Sequence, residues 1–130
     1  MKIKTEALKD APLDWVVAHM QGVADQLTPT WTEADDGEVC CWLSVPSVSL
    51  YSPSRCWASG GPLIDQYSVS LMRQATHWEA IVKDDDGLEH ASSAKTPLVA
   101  AMRSIVAAKM GGEVSVPDAL TTPPCLSDPA

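Results

Sequence analysis

The spacing of apolar residues predicts a helix near the start of the chain. Within residues 10–21 the apolar positions lie three and four apart and form one stripe: Leu13, Val16, Val17 and Met20. Asp10 can cap the N-terminus of this helix, and Gly22 is a natural stop. Because apolar residues continue at the same helical spacing as far as Leu27, the predicted helix ends at either Gln21 or Leu27.

A second helix is predicted between Thr96 and the glycine pair Gly111-Gly112. Thr96 can cap it and Pro97 fits its first turn, where no backbone N–H is needed. Its apolar positions recur at helical spacing and form one buried stripe: Leu98, Val99, Met102, Ile105, Val106 and Met110.

Alternating and continuous apolar runs predict strands in the middle of the chain. Residues 39–45 are mostly apolar, as in a buried strand, and residues 48–50 alternate. The clearest signal is a hairpin, in which residues 78–83 and 88–92 are extended runs on either side of an Asp-Gly turn at residues 84–87.

The other segments are predicted as loops or short elements. Residues 28–38 read as a loop because Pro29 is followed by an acidic run. Residues 62–67 fit a short helix opened by the preceding glycines, residues 68–74 are ambiguous, and residues 114–117 are a short extended piece.

This order of elements predicts an α+β fold, in which an antiparallel sheet is flanked by helices as a helix–sheet–helix sandwich. A Rossmann-like glycine signature, which would indicate alternating α/β, does not occur. Residues 1–117 form one predicted globular domain, and residues 118–130 a mobile Pro-rich tail.

Charge and cysteine content narrow the classes of function. With 17 Asp and Glu against 9 Lys and Arg, the net charge is −8, which argues against direct binding to nucleic acid. The chain starts without a signal-like apolar run and has no membrane-length apolar stretch, so we expect a cytoplasmic protein with reduced cysteines. No Cys-x-x-Cys pair occurs, and neither a metal site nor a cofactor is expected.

The richest segment chemically is residues 51–62, called here the 51–62 segment. Its prolines and glycines stop one element and start another, which leaves backbone N–H groups to meet a polar or anionic ligand. The candidate ligand-binding residues are Tyr51, Ser52, Ser54, Arg55, Trp57, Gly60 and Gly61. For the glycine pair, a helix-opening turn is an equally good interpretation.

Arg103 is a further candidate for ligand binding. It flanks the buried stripe of the second helix, where a long side chain can lie along a sheet edge and present its guanidinium to a phosphate or carboxylate. Pairing with an Asp or Glu of the chain is the more common outcome for such a residue.

Signals for catalysis are weak. His19, His77 and His90 could act as bases, but no Ser or Cys lies in a recognisable nucleophile elbow, and Walker-type phosphate loops are absent. A pairing of Cys56 with His77 in space stays open. The residues favour a non-catalytic protein.

Taken together, several blocks resemble the NinX-type proteins of tailed bacteriophages. The residues that carry the resemblance are Met-Lys-Ile-Lys-Thr at 1–5, Leu-Asp-Trp-Val-Val-Ala at 13–18, Tyr-Ser-Pro-Ser at 51–54, Trp57, Gly-Gly-Pro-Leu-Ile at 60–64, Thr-Pro-Leu-Val-Ala-Ala-Met-Arg at 96–103, Val-Ala at 106–107 and Glu-Val-Ser-Val-Pro at 113–117. This chain has Arg55-Cys56 where the family tends to have Thr-Asp before the tryptophan. The layout also resembles the phage ABA-sandwich domains.

The resemblance implies a phage or prophage accessory protein acting in an infected bacterium, and it implies no reaction. The leading hypothesis is a homo-oligomeric protein that binds, and sequesters, a small polar or nucleotide-like signalling ligand to counter host antiviral defence. The alternatives are an acidic inhibitor that binds a host enzyme as a nucleic-acid mimic, and a small nucleotide hydrolase.

Overall fold

The computed structural model of the chain describes residues 2–33, 39–45 and 49–120. Its three helices in that part of the chain are α1 (Asp10–Gln21), α2 (Trp57–Gln66) and α3 (Pro97–Met110). Of the helices described, none has the length and apolar character that a membrane span requires.

The strands pair antiparallel throughout and form three small sheets among the described residues. The strands are β1 (Lys2–Lys4), β2 (Thr28–Glu33), β3 (Val39–Val45), β4 (Ser49–Tyr51), β5 (Ser70–Arg73), β6 (Trp78–Lys83), β7 (Glu89–Ala94) and β8 (Glu113–Ser115). The sheets are β1–β8, β2–β3–β4 and β5–β6–β7. The predicted α+β class is confirmed, although the strands divide into three sheets where the sequence suggested one.

Helices α1 and α3 confirm the predicted stripes, except that Met110 at the end of α3 is exposed. The predicted Asp10 cap is wrong, because Asp10 is the first residue of α1 and the N-cap is Lys9, which makes no side-chain hydrogen bond to the helix. Helix α1 ends at Gln21 because Gly22 adopts a left-handed conformation with φ of 78°. Of the two predicted helix ends, the one at Gln21 is therefore correct and the one at Leu27 is not. At the start of α3 the hydroxyl oxygen of Thr96 accepts a hydrogen bond from the Val99 N–H at 3.3 Å.

The predicted hairpin is also confirmed, as β6 and β7. The Asp84 carboxylate closes its turn by accepting hydrogen bonds from the N–H groups of Asp86 and Leu88, at 2.9 and 3.0 Å. Gly87 has a φ of 83°, which few other residues adopt without strain.

Two predictions in the middle of the chain are wrong. Residues 28–33 are a strand rather than part of a loop, and residues 34–38 lie outside the described residues. Strand β2 is held by its six-residue pairing with β3, and since most of its side chains are exposed it lacks an alternating apolar pattern. The short helix predicted over residues 62–67 begins earlier than expected: α2 starts at Trp57, so Pro62 lies inside it. The ambiguous residues 68–74 contain strand β5.

The main core lies on α3, which packs against β6 and β7 on one side and against α1 on another. Met102, Ile105 and Val106 are fully buried there. The Ser104 hydroxyl donates a hydrogen bond to the Ala80 carbonyl at 2.6 Å, which fixes α3 on β6.

A second, smaller cluster joins α1 to β3 through Ala11, Cys41 and Leu43. Leu120, in the short 3-10 turn Asp118–Leu120, is buried in the same cluster. Residues 121–130, which make up most of the predicted tail, lie outside the described residues.

Candidate functional site

The 51–62 segment is a compact junction between β4 and α2. Tyr51 is the last residue of β4, and the N–H groups of Arg55 and Cys56 both bond to the Ser52 carbonyl, at 3.0 and 2.8 Å. The turn leads directly into α2 at Trp57. The segment thus does stop one element and start another, as its prolines predict.

The junction is anchored by Asp14, a residue of α1 that is completely buried. One carboxylate oxygen accepts a hydrogen bond from the Ser54 N–H at 2.8 Å, and the other lies 3.1 Å from Arg55 Nη2. Arg55 Nη2 also donates to the Cys41 carbonyl at 3.0 Å, and its guanidinium carbon lies 3.6 Å from the centre of the Trp42 ring. We call these five residues the Asp14 network.

The Asp14 network ties three parts of the fold together, because its members come from α1, β3 and the turn before α2. A charge-assisted hydrogen bond and a cation–π contact both fix the Arg55 guanidinium. Arg55 is a predicted ligand contact and a departure from the family pattern. It therefore also has a defined role inside the fold.

Burial governs the electrostatics of this network. Desolvation raises the pKa of Asp14 to about 6, although hydrogen bonds from Ser54 and the positive charge of Arg55 act in the opposite direction. Burial, together with the neighbouring Asp14 charge, also raises the pKa of Tyr51 to about 12. The carboxylate thus takes up a proton at a higher pH than an exposed aspartate does, although it is mostly ionised at pH 7.

The two glycines of the segment have different surroundings. A Cβ atom on Gly60 would lie 2.3 Å from the Pro53 carbonyl oxygen and 2.8 Å from Leu98 Cδ2, so this position accepts no side chain. A Cβ on Gly61 would meet nothing within 4 Å. Gly60 therefore lets α2 approach both the preceding turn and α3, and neither glycine opens the helix.

The candidate ligand-binding residues differ widely in exposure. Ser52, Ser54 and Gly60 are buried, Tyr51, Arg55 and Gly61 are partly buried, and Trp57 is 55% exposed. Contact of each with a ligand stays a prediction. Trp57 is the member of this set whose side chain is most available to solvent.

Arg103, the further candidate for ligand binding, is held by backbone carbonyls of two other segments of the chain. Its Nε donates to the Leu8 carbonyl at 2.7 Å and its Nη1 to the Ser93 carbonyl at 2.9 Å. Partial burial lowers its pKa. The side chain does reach a sheet edge, at β7, and within the described part of the chain its hydrogen bonds go to backbone carbonyls, while the charge of Glu6 acts to raise its pKa.

Asp14 is the important residue that hydrophobic periodicity does not reveal. The available signal was an acidic residue between Leu13 and Val16 in the apolar stripe of α1. A carboxylate in that position needs a partner, but the sequence does not show that the partner is Arg55, 41 residues away.

The histidines lie in separate places. His19 stacks on Trp15 with ring centres 5.3 Å apart, and His90 Nε2 lies 2.8 Å from Asp84 Oδ2. His77 is next to Thr76, whose hydroxyl lies 3.3 Å from its Nδ1. Within residues 2–33, 39–45 and 49–120, no three His, Cys, Asp or Glu side chains are grouped so that they could hold a metal ion.

Comparison with known proteins assigns the chain to a family. The family described as bacteriophage P22 NinX matches residues 4–109, which include all three helices except the last residue of α3. No curated protein matches the chain. The match confirms the resemblance seen in the sequence, it is consistent with a phage accessory protein, and the chain belongs to the bacteriophage P22 NinX family.

Proposed function

We propose that this NinX-family protein is a non-catalytic phage accessory protein that binds a small polar or nucleotide-like ligand at the first turn of α2. The observation that carries the proposal is Trp57, which begins α2 and is 55% exposed. A large aromatic side chain in such a position costs free energy in water unless a partner covers it.

The backbone beside Trp57 supports a polar or anionic ligand. The N-cap residue, Cys56, makes no side-chain hydrogen bond to the helix. The Cys56 carbonyl accepts the first hydrogen bonds of the helix, from the N–H groups of Ser59 and Gly60. The N–H groups of Trp57 and Ala58 lie before this point, in the turn where the N–H groups of a helix have no partner within the helix. A phosphate could accept hydrogen bonds from these groups while a base stacks on the indole ring.

The Asp14 network supports this surface from behind. Ser54 and Arg55 fix the turn that leads into α2, and Gly60 fixes the close packing of its first turn. A surface that is already rigid loses less conformational entropy when it binds a ligand. In this account Arg55 is a positioning residue.

The test is calorimetric titration with a panel of nucleotides, using Trp57→Ala and the control Leu88→Ala. Leu88 is another exposed apolar residue, 63% exposed, in the hairpin turn. Loss of one stacking contact weakens binding by roughly tenfold or more, so we expect that loss in Trp57→Ala and wild-type affinity in Leu88→Ala. Equal affinity of Trp57→Ala and wild type, or no binding by wild type, would refute the site.

The biological role we propose is sequestration of a host signalling ligand by a homo-oligomer, which would counter antiviral defence in the infected cell. Membership of a phage family supports this setting. Denaturing the loaded protein distinguishes sequestration from a nucleotide hydrolase, because a binder releases the ligand intact whereas an enzyme releases product.

A second candidate function is an acidic inhibitor that occupies the nucleic-acid site of a host enzyme. The net charge of −8 favours this candidate. Its binding to the host enzyme would weaken steeply as salt is raised. A complex whose affinity is unchanged by added salt would refute it.

A further inference from the structure

A cleft of about 350 Å³ lies at the opposite end of α2 from Trp57. Three chain segments form it: the end of α2 with the connection to β5, the hairpin of β6 and β7, and the last turn of α3. Since α2 has ten residues, the two ends of this helix are about 15 Å apart. The cleft is therefore a different site from the one proposed above.

Two lysines line the cleft, although the chain as a whole is strongly acidic. Lys83 comes from the end of β6 and Lys109 from the last turn of α3. Lys109 Nζ lies 5.7 Å from the centre of the Tyr67 ring, which forms part of the wall. Among the described residues, the lining contains one carboxylate, that of Glu89, so these lining side chains carry more positive than negative charge.

The ion pair of Lys109 leaves that lysine available to a ligand. Its partner is Asp85, at 3.5 Å, whose side chain is 97% exposed and does not line the cleft. A pair with so exposed a partner is weak. An anion in the cleft could compete with Asp85 for the ammonium group.

Hydroxyl groups complete the lining. Ser68 and Ser70 belong to it, together with Gln66, whereas the Tyr67 hydroxyl accepts a hydrogen bond from Gln21 Nε2 at 2.6 Å. Ser68 has a φ of 53°, the left-handed conformation in which a helix usually ends at glycine. A serine at this position keeps a hydroxyl in the cleft at the expense of backbone strain.

We propose that this cleft binds a phosphate group of a small ligand, with Lys83 and Lys109 supplying charge and the Ser68 and Ser70 hydroxyls supplying hydrogen bonds. A phosphate has several acceptor oxygens and a charge close to −2, which suits two ammonium groups and several donors at once. The proposal is independent of the site at Trp57.

Inorganic pyrophosphate is the probe, titrated into the isotope-labelled protein at constant ionic strength and followed by NMR. We expect saturable shifts of the backbone amides of Ser68, Ser70, Lys83 and Lys109. Since each charge-assisted contact contributes roughly tenfold to affinity, Lys83→Met and Lys109→Met should each weaken binding by that factor. Shifts that do not saturate would overturn the proposal.

Two further variants separate the site from general effects. Lys95→Met removes an exposed lysine outside the cleft and should bind as wild type does. Ser68→Gly relieves the strained conformation, so it should raise the melting temperature while weakening pyrophosphate binding several-fold. Equal losses in Lys95→Met and Lys83→Met, or wild-type affinity in Ser68→Gly, would contradict the proposal.

Discussion

Replacing Asp14 by asparagine tests the electrostatics of the Asp14 network. Asparagine has nearly the shape of aspartate, and its carbonyl oxygen can still accept the hydrogen bond from the Ser54 N–H. The substitution removes the negative charge, which is buried in α1 and pairs with Arg55. Any change in stability then reports the free energy of holding that charge in the interior.

The magnitude follows from the pKa of Asp14, which burial raises from an ordinary value of 3.8 to about 6. Each pKa unit corresponds to about 1.4 kcal/mol, so the shift corresponds to about 3 kcal/mol. Because the folded state binds the proton more tightly than the unfolded chain, this group lowers the free energy of unfolding as pH rises. The decrease starts near pH 4 and is complete somewhat above pH 6.

The assay is denaturant unfolding at several pH values between 4 and 8, followed by tryptophan fluorescence. The difference between Asp14→Asn and wild type cancels the titration of the other acidic groups. We expect the variant to gain about 2.4 kcal/mol relative to wild type between pH 4 and pH 7, since part of the full shift lies below pH 4. Asp25→Asn, at an exposed position, is the control for the same change of side chain without burial.

Two results would refute this reasoning. A flat difference for Asp14→Asn would mean that Arg55 and Ser54 compensate burial fully. A difference of the opposite sign, in which wild type gains relative stability as pH rises, would mean that the ion pair stabilises the fold and that the pKa of Asp14 lies below its ordinary value.

The other predictions concern packing and backbone contacts. Gly60→Ala places a methyl group against the Pro53 carbonyl and should reduce the free energy of unfolding by about 2 kcal/mol or more. Gly61→Ala places its methyl group in open space and should raise the free energy of unfolding by about 0.5–1 kcal/mol. Thermal unfolding followed by circular dichroism compares the two variants, and equal effects would contradict the packing. Arg103→Met leaves two carbonyls without their donor and should lose about 1–3 kcal/mol, with faster amide exchange in β7; unchanged exchange would refute that role.

Local signals in the sequence predicted much of the fold. The two helices with an apolar stripe, α1 and α3, and the hairpin with an Asp-Gly turn all follow from residues close together in the chain. Each combines a hydrophobic period with a cap or turn residue, so two independent signals agree.

The elements that local sequence patterns do not predict depend on partners far away in the chain. Strand β1 pairs with β8 across more than a hundred residues, and β2 is held by β3 with little burial of its own side chains. The start of α2 at Trp57 depends on Gly60 fitting against Pro53 and Leu98. No local pattern reports such contacts.

The same reason limits what the sequence could predict of the candidate site. It identified the 51–62 segment by its composition, but composition does not show which side chains face inward. Ser54 and Arg55 are engaged by Asp14, whereas Trp57 is exposed. Arg103 pairs with carbonyls of Leu8 and Ser93, which only the folded arrangement brings near it.

The most direct test of the proposed function is native mass spectrometry of the protein recovered from phage-infected bacteria, with Trp57→Ala recovered in parallel. The measurement reports subunit number and bound mass together. The account predicts an oligomer of wild type that carries an intact small ligand, and a Trp57→Ala protein of the same subunit number with that ligand lost. Bare wild-type protein, or the same ligand retained in full by Trp57→Ala, would contradict it.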